Sequence, residues 1–345
     1  MNHILKIPDA DKARLRVMFL AKHALATGAP DPGDGNHAVY HHEMRSTLEE
    51  IGLEVVPANS FDAIYEKPDV DYVLTLLNRG GFLNSEMLGP LLLTRHGIPY
   101  LGASPILRGL GDDKHLMKVV AQHRGVPVTP WLSVRRGQGE VPKPDFSWER
   151  LVVKPNASSA SWGVGIFEDW EPARAHAEGV LGEGHDVIIE PHFGSGDVVV
   201  PVFGAEGAFF LPAMRFRMPG QDDNFRSYEE KRALVDAPKE VLEAVDDAEL
   251  AAKLEDLTRR MLPELWPLDY GRFEFRHDAA TGEVRFMEVN PSCNLWSKKT
   301  VSGAARLLGI SHTELVETIL AHSMLRQGVI QEVVRGRAPM AQAAE

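Results

Sequence analysis

The sequence predicts a mixed α/β fold in which a small parallel sheet precedes two lobes built on antiparallel strands. Two observations predict it. The first third alternates short apolar, strand-like runs with helical ones, the pattern of βα units in a parallel sheet. From Leu151 onward the apolar runs read instead as successive antiparallel strands.

In order, Arg16 to Ala21 and Glu54 to Pro57 read as strands around a helix at Tyr40 to Glu50. A third strand, Asp71 to Leu77, leads to a helix from Leu83 to Arg95 and a short strand at Ile98 to Leu101. These elements form an expected N-terminal α/β domain, residues 1–110. A helix then starts at Asp112 or Asp113, either of which can cap it, and stops at Gly125. The strands Leu151 to Lys154 and Val187 to Glu190 belong to an expected central lobe, 111–192. The strands Asp197 to Phe203 and Ala208 to Arg215 open a C-terminal lobe, 193–330, in which Arg217 to Arg226 reads as a mobile loop. An amphipathic helix is expected at Ala248 to Leu262, and Ser311 with Glu314 forms a capping box for a helix ending near Arg326. A tail, 331–345, closes the chain, its Ala-rich end from Gly336 expected to fray.

The 345 residues suit two or three packed domains, and their 44% hydrophobic, 25% charged composition is that of an ordered globular protein. A net charge of -12 argues against nucleic acid as a partner, which wants a basic surface. The single cysteine, Cys293, excludes an internal disulfide and fits a reducing compartment. The apolar run Val17 to Ala21, cut by Lys22, is too short for a signal-peptide core or a membrane span. The expectation is a cytoplasmic protein with no membrane partner.

The strongest local signal is the pair of runs Gly271 to Arg276 and Val284 to Asn290 around a polar, Gly-containing turn, which reads as a β-hairpin. A turn centred on Thr281 sets Glu274 opposite Glu288 and Arg272 opposite Asn290, with Phe273 against Val289 and Phe275 against Met287 on the other face. Two carboxylates directly across a strand pair repel, and a divalent cation relieves this. Glu, Glu and Asn oxygens are hard ligands suited to Mg²⁺, and Arg272 is placed to hold a phosphate or an oxyanion. The plainer reading of the hairpin by itself is a solvated polar face.

Upstream, the strand Leu151 to Pro155 delivers Lys154 into the small-residue loop Asn156 to Gly165, where backbone N–H groups can approach an anion. The same loop by itself reads equally as a flexible connection. The strand Val187 to Glu190, with Asp197 beyond, offers backbone for an adenine edge and a carboxylate for a ribose hydroxyl, although a plain core strand reads as well. Neither a G-x-x-x-x-G-K-[ST] loop nor a G-x-G-x-x-G motif is present.

Taken in order, the series resembles the ATP-grasp superfamily, within it the D-alanine–D-alanine ligase-like branch. It comprises Gly97 to Gly102, Asp113-Lys114 through Lys118 to Val128, Val152 to Pro155, the Ser/Gly loop, Glu190 to Phe193, Tyr228 to Lys231, Arg272-x-Glu274 and Glu288-x-Asn290-Pro291. The resemblance implies an ATP-grasp fold and an ADP-forming ligase that joins a small carboxylate to an amine, with ATP and Mg²⁺ as cofactors (two ions expected, Mn²⁺ possible as a substitute). It implies that Lys114, Lys154 and Lys231 contact the nucleotide, that Ser161 and Gly163 lie in the loop over its phosphates, and that Glu190, Phe193 and Asp197 hold adenine and ribose. Glu274, Glu288 and Asn290 would bind the metal, Arg272 would stabilise the acyl phosphate and tetrahedral intermediate, and Lys231 and Ser161 would assist. It also suggests a homodimer.

The departures fall on the amino-acid substrates. The family's N-terminal glutamate is replaced within Gly28 to Asn36, with Gly35 in its place. Arg79-Gly80-Gly81 is kept but is followed by Phe82-Leu83-Asn84. A loop serine is Ala160, the tyrosine after Lys231 is Arg232, and the pairs that hold the second substrate's carboxylate become Cys293-Asn294 and Lys299-Thr300. Arg232, Asn294 and Lys299 are the tentative substrate residues. A specialised pathway is expected, with the family's D-alanine ligase itself or a phosphotransferase as alternatives. Cys293 reads as a small buried residue rather than a nucleophile, and His37, His41, His42 and Glu43 as a solvated helix face.

Overall fold

The computed structural model describes residues 4–77, 85–158, 161–194, 196–204, 207–217 and 241–336. Its strands are β1 (Leu5–Lys6), β2 (Arg16–Leu20), β3 (Glu54–Ala58), β4 (Tyr72–Thr75), β5 (Leu132–Val134), β6 (Leu151–Pro155), β7 (Gly165–Phe167), β8 (Val187–Pro191), β9 (Gly196–Gly204), β10 (Phe209–Phe210), β11 (Met214–Arg217), β12 (Val241–Ala244), β13 (Asp269–His277), β14 (Val284–Asn290) and β15 (Val334–Arg335). The helices are α1 (Asp9–Arg14), α2 (His37–Ile51), α3 (Leu88–His96), α4 (Pro105–Asp112), α5 (Lys114–His123), α6 (Trp170–Gly182), α7 (Ala248–Leu265), α8 (Thr300–Leu307) and α9 (His312–Arg326).

The first sheet has the order β3-β2-β4, all parallel. Its central strand β2 buries residues on both faces, as a strand covered on both sides must. Val17 and Phe19 pack with α2 and α9, while Met18 and Leu20 pack with Ile64, Leu93 and Ile98. The strand expected at Ile98 to Leu101 is only an isolated bridge, Val73 to Tyr100, since Pro99 has no N–H to extend a ladder. Of the helix expected from Leu83, residues 83 and 84 lie outside the described residues; a 3₁₀ turn, Ser85–Met87, leads into α3.

The second sheet is antiparallel, order β5-β8-β6-β7, covered by α6 through Ala173, Ala177 and Val180. The third has the order β12-β11-β9-β13-β14, with β10 beside β9. The run expected as one strand from Ala208 to Arg215 is broken at Leu211-Pro212-Ala213 into β10 and β11. The expected loop beyond Arg217 lies outside the described residues. One face of this sheet packs against α7, and on the other Val199, Phe203 and Met214 join α8, α9 and the parallel sheet in one core.

The helix expected from Asp112 or Asp113 is α5, and a further helix that was not expected, α4, ends just before it. Pro105 begins α4 in the first turn, where its missing N–H costs nothing. Asp113 caps α5, its Oδ1 accepting from the Leu116 N–H at 2.9 Å. The Ser311–Glu314 capping box forms as expected. The first part of the expected tail is tied down: β15 pairs with β1, and residues from 337 lie outside the described residues. No helix among the described residues is long and apolar enough to cross a membrane.

Candidate active site

The hairpin β13–β14 sets Arg272 opposite Asn290, Phe273 opposite Val289 and Glu274 opposite Glu288, as expected. The register then shifts, and Phe275 faces Phe286 rather than Met287. Packing explains this bulge: the Phe275 and Phe286 rings meet edge to face at 5.7 Å, and both are buried, leaving Met287 as the extra residue. Because the bulge lies on the turn side of Glu274, the four polar residues keep one face.

On that face Arg272 donates to Glu274 Oε1 from Nε at 2.8 Å and from Nη2 at 2.5 Å. The Asn290 Nδ2 donates to the same oxygen at 2.5 Å and reaches Glu288 Oε1 at 3.3 Å. Lys114 Nζ stands 3.3 Å from Glu288 Oε2. Burial works to raise the Glu288 carboxyl, yet Lys114, Lys154, the Asn290 amide and Arg272 pull it down to about 2. Burial likewise opposes the charge on Arg272, but Glu274 and Glu288 hold its pKa above the ordinary value. Two opposed carboxylates and an amide that touches both fit a small hard cation, since turning the amide presents its oxygen to the same point. Among the described residues no group of three or more His, Cys, Asp or Glu is placed to hold a metal ion.

A second charged cluster lies beside it. Lys154, near the end of β6, places Nζ 2.5 Å from Glu190 Oε1, and Lys118 Nζ is 2.7 Å from Glu190 Oε2. The Thr129 hydroxyl donates to Oε2 at 2.8 Å and accepts from Lys118 Nζ at 2.8 Å. Burial raises the Glu190 carboxyl, but the two lysines outweigh it and hold the group well below the usual carboxylate range. Lys118 had no role in the sequence reading. The available signal was its spacing: it lies one turn after Lys114 on α5, so both project from one face.

Lys114 also donates to the Ser158 carbonyl at 2.8 Å, joining α5 to the small-residue loop. Ser159 and Ala160 lie outside the described residues. Ser161 and Gly163 both have positive φ, 63° and 70°, which turns the loop sharply. At Gly163 a side chain is excluded as well, since a Cβ would sit 2.7 Å from Pro155 Cγ.

Phe193 and Asp197, the expected adenine and ribose contacts, are fastened by arginines. Arg276 donates to the carbonyls of Phe193 and Gly194 at 2.9 and 2.7 Å and to Asp197 Oδ1 at 2.8 Å. The Arg285 guanidinium lies 4.0 Å above the Phe193 ring. Asp197 is therefore already ion-paired, and a ribose hydroxyl would have to share its carboxylate.

Lys231, an expected nucleotide contact, and Arg232, an expected substrate contact, lie outside the described residues, as does Arg79 to Asn84. Asn294 makes a local turn, its Oδ1 accepting from the Trp296 N–H at 2.7 Å. Lys299 stands at the N-terminus of α8, its carbonyl accepting from the Gly303 N–H. Cys293 is buried, and burial pushes its thiol up to about 12, so it is not a thiolate. The expected solvated face of α2 is a correction. His41 is buried, accepting from the His23 N–H, and burial with the charges of His37 and His23 lowers it to about 3. Glu43 accepts from Trp296 Nε1 at 3.0 Å and from the Ser297 N–H and hydroxyl at 2.9 and 3.0 Å, because α2 packs on the 294–299 loop. Within the 28–36 stretch, Asp34 is held by Lys22 and His23, each at 2.9 Å.

The D-ala D-ala ligase C-terminus family model matches residues 120–321, more than half of the chain. The D-alanine–D-alanine ligase of Bacillus anthracis is 24% identical over 290 residues, 82% of this chain and 90% of that protein. An uncharacterised protein of Sinorhizobium fredii, y4sG, is 26% identical over 234 residues, 67% of this chain and 68% of that protein. In fold, the crystal structure of the Bacillus anthracis ligase complexed with ATP superposes with a TM-score of 0.70 at 20% identity, covering 91% of this chain and 99% of that one. The VanG D-Ala:D-Ser ligase of Enterococcus faecalis does so at 0.64 and 14% identity, covering 90% and 99%. The chain thus belongs to the D-alanine–D-alanine ligase family of the ATP-grasp superfamily, ATP-dependent ligases that use Mg²⁺ and form a C–N bond.

Proposed function

We propose that this enzyme activates a small carboxylate as an acyl phosphate and transfers the acyl group to the amine of an amino acid, in a specialised pathway. The observation that carries the proposal is the joining of two charged clusters by one face of α5: Lys114 at the Arg272, Glu274, Glu288, Asn290 face, and Lys118 at Glu190 and Lys154. A carboxylate oxygen attacks the γ-phosphorus and ADP leaves; the amine then attacks the acyl carbon and phosphate leaves, its proton passing to solvent. Lys114 and Lys154 hold phosphate oxygens, with Lys231 a further contact, and Ser161 and Gly163 carry the loop over them. Phe193 and Asp197 frame adenine and ribose, and Arg272 steadies the negative charge that grows on the acyl oxygen. Mg²⁺, held by Glu274, Glu288 and Asn290, would neutralise phosphate charge.

The specialised role is supported by the amino-acid end. Gly35 takes the place of the family's glutamate, and Asn294, a tentative substrate residue, is spent on its own turn at Trp296. We extend the proposal to the division into units 1–110, 111–192 and 193–330, to Arg232 and Lys299 as contacts for an acidic substrate, and to a homodimer. The test is release of ADP and phosphate with Mg²⁺ across a panel of amino acids and amines, D-alanine among them. AMP and pyrophosphate would overturn the acyl-phosphate route, a stable phosphorylated product would make the enzyme a phosphotransferase, and turnover with D-alanine alone would remove the specialised role.

A further inference from the structure

We propose that Lys118 is a positioning residue that keeps the Glu190 carboxylate satisfied, so that Lys154 can leave it for a phosphate of the nucleotide. The proposal rests on the reading of Lys154 as a phosphate contact.

Glu190 is 7% exposed, and a buried carboxylate stripped of its partner is strongly unfavourable. Its two oxygens are served differently. Oε1 takes Lys154 at 2.5 Å, while Oε2 takes Lys118 at 2.7 Å and the Thr129 hydroxyl at 2.8 Å. Lys118, Thr129 and Glu190 close a triangle, since Lys118 also donates to Thr129. Lys118 is the deeper lysine, its side chain 1% exposed against 8% for Lys154. Its ammonium lies 5.5 Å from the centre of the Trp131 ring, which packs it in place.

The two lysines also have different neighbours. The charge of Lys154 acts on Glu288 as well as on Glu190. Lys118 faces Glu190, Thr129 and Trp131. Two ammonium groups on one carboxylate leave the cluster one positive charge in excess, which an arriving phosphate matches if one lysine turns to it. The lysine that turns must leave Glu190 with a counter-ion behind, and Lys118 is that counter-ion. Without Lys118, Lys154 becomes the sole cation of a buried carboxylate and is held there.

The experiment compares Mg-ATP binding by titration calorimetry in the full-length wild type, Lys154→Met, Lys118→Met, Glu190→Gln and the Lys118→Met/Glu190→Gln double variant, each checked for folding by thermal melting. Lys118→Met is expected to weaken binding about tenfold, mid-range for directly coupled buried groups. In the double variant binding should return to within about twofold of Glu190→Gln alone, because a neutral amide has no hold on Lys154. A purely structural Lys118 would give additive effects, and additivity overturns the proposal, as does Lys118→Met binding like wild type. If Lys118→Met does not fold, Thr129→Val takes one donor from Oε2 without unpairing a charge; it should weaken binding by a smaller factor, and unchanged binding overturns the proposal. A wild type that does not bind Mg-ATP, or Lys154→Met binding equally well, overturns the phosphate reading of Lys154 and this proposal with it. Loss in Lys154→Met without loss in Lys118→Met overturns this proposal alone.

Discussion

Glu190 and Glu288 are both met by lysines from one face of α5, yet they stand in opposite conditions. Glu190 is closed in by two lysines and a threonine, all deeply buried. Glu288 is part exposed, faces a second carboxylate across the hairpin, and has Lys114 at a looser 3.3 Å. The difference separates two uses of a buried acid. Both carboxylates are met by protein groups, but only Glu288 also opposes a second carboxylate, a repulsion that the proposed Mg²⁺ would relieve.

The sharpest way to break that contrast is to neutralise each acid in turn. Glu288→Gln should lower ATP-dependent turnover about a hundredfold or more, the scale for loss of one charge-stabilising group. Measured kcat near wild type would remove Glu288 from the metal end. Stability should respond in the reverse order. Glu190→Gln leaves two buried lysines without a counter-charge and should cost about 3 kcal/mol in urea unfolding. Glu288→Gln gives up the pull of Lys114 but relieves the opposed Glu274, and at this part-exposed group should cost less, about 1 kcal/mol. Equal losses would erase the distinction.

The pH dependence sharpens it further. Both carboxyls lie below their ordinary value in the folded protein, Glu288 at about 2 against 4.5. Their contribution is therefore fully present above about pH 4.5 and is lost as pH falls, for Glu288 through about 2. Metal-free protein followed by circular dichroism should show this acid loss, and Glu190→Gln should remove more of it than Glu288→Gln. The smallest effect is expected at Asp113→Ala, which uncaps the helix carrying both lysines and should cost about 1 kcal/mol in thermal unfolding.

Much of this was legible in local sequence. Strands with apolar runs, the Asp113 cap, the Ser311–Glu314 box and the opposition of Glu274 with Glu288 follow from short-range periodicity and turn chemistry. Helix α6 was missed because its amphipathic signal is weak, and α8 because it is only eight residues long; tertiary contacts stabilise both. The bulge after Glu274 escaped the sequence because the choice of Phe286 over Met287 is made by packing against Phe275.

The hairpin of Arg272, Glu274, Glu288 and Asn290, with Lys154 leading into the small-residue loop, could be set down from the sequence alone, because register and spacing are local properties of the chain, whereas Lys114 was implied by the family resemblance. Only the tertiary structure decided that Lys118 completes Glu190, that Arg276 occupies Asp197, and that Glu43 grips the loop at Trp296 and Ser297. These partners come from separate sheets and helices, and which charge a buried group meets depends on how those elements pack, which no spacing along the chain encodes.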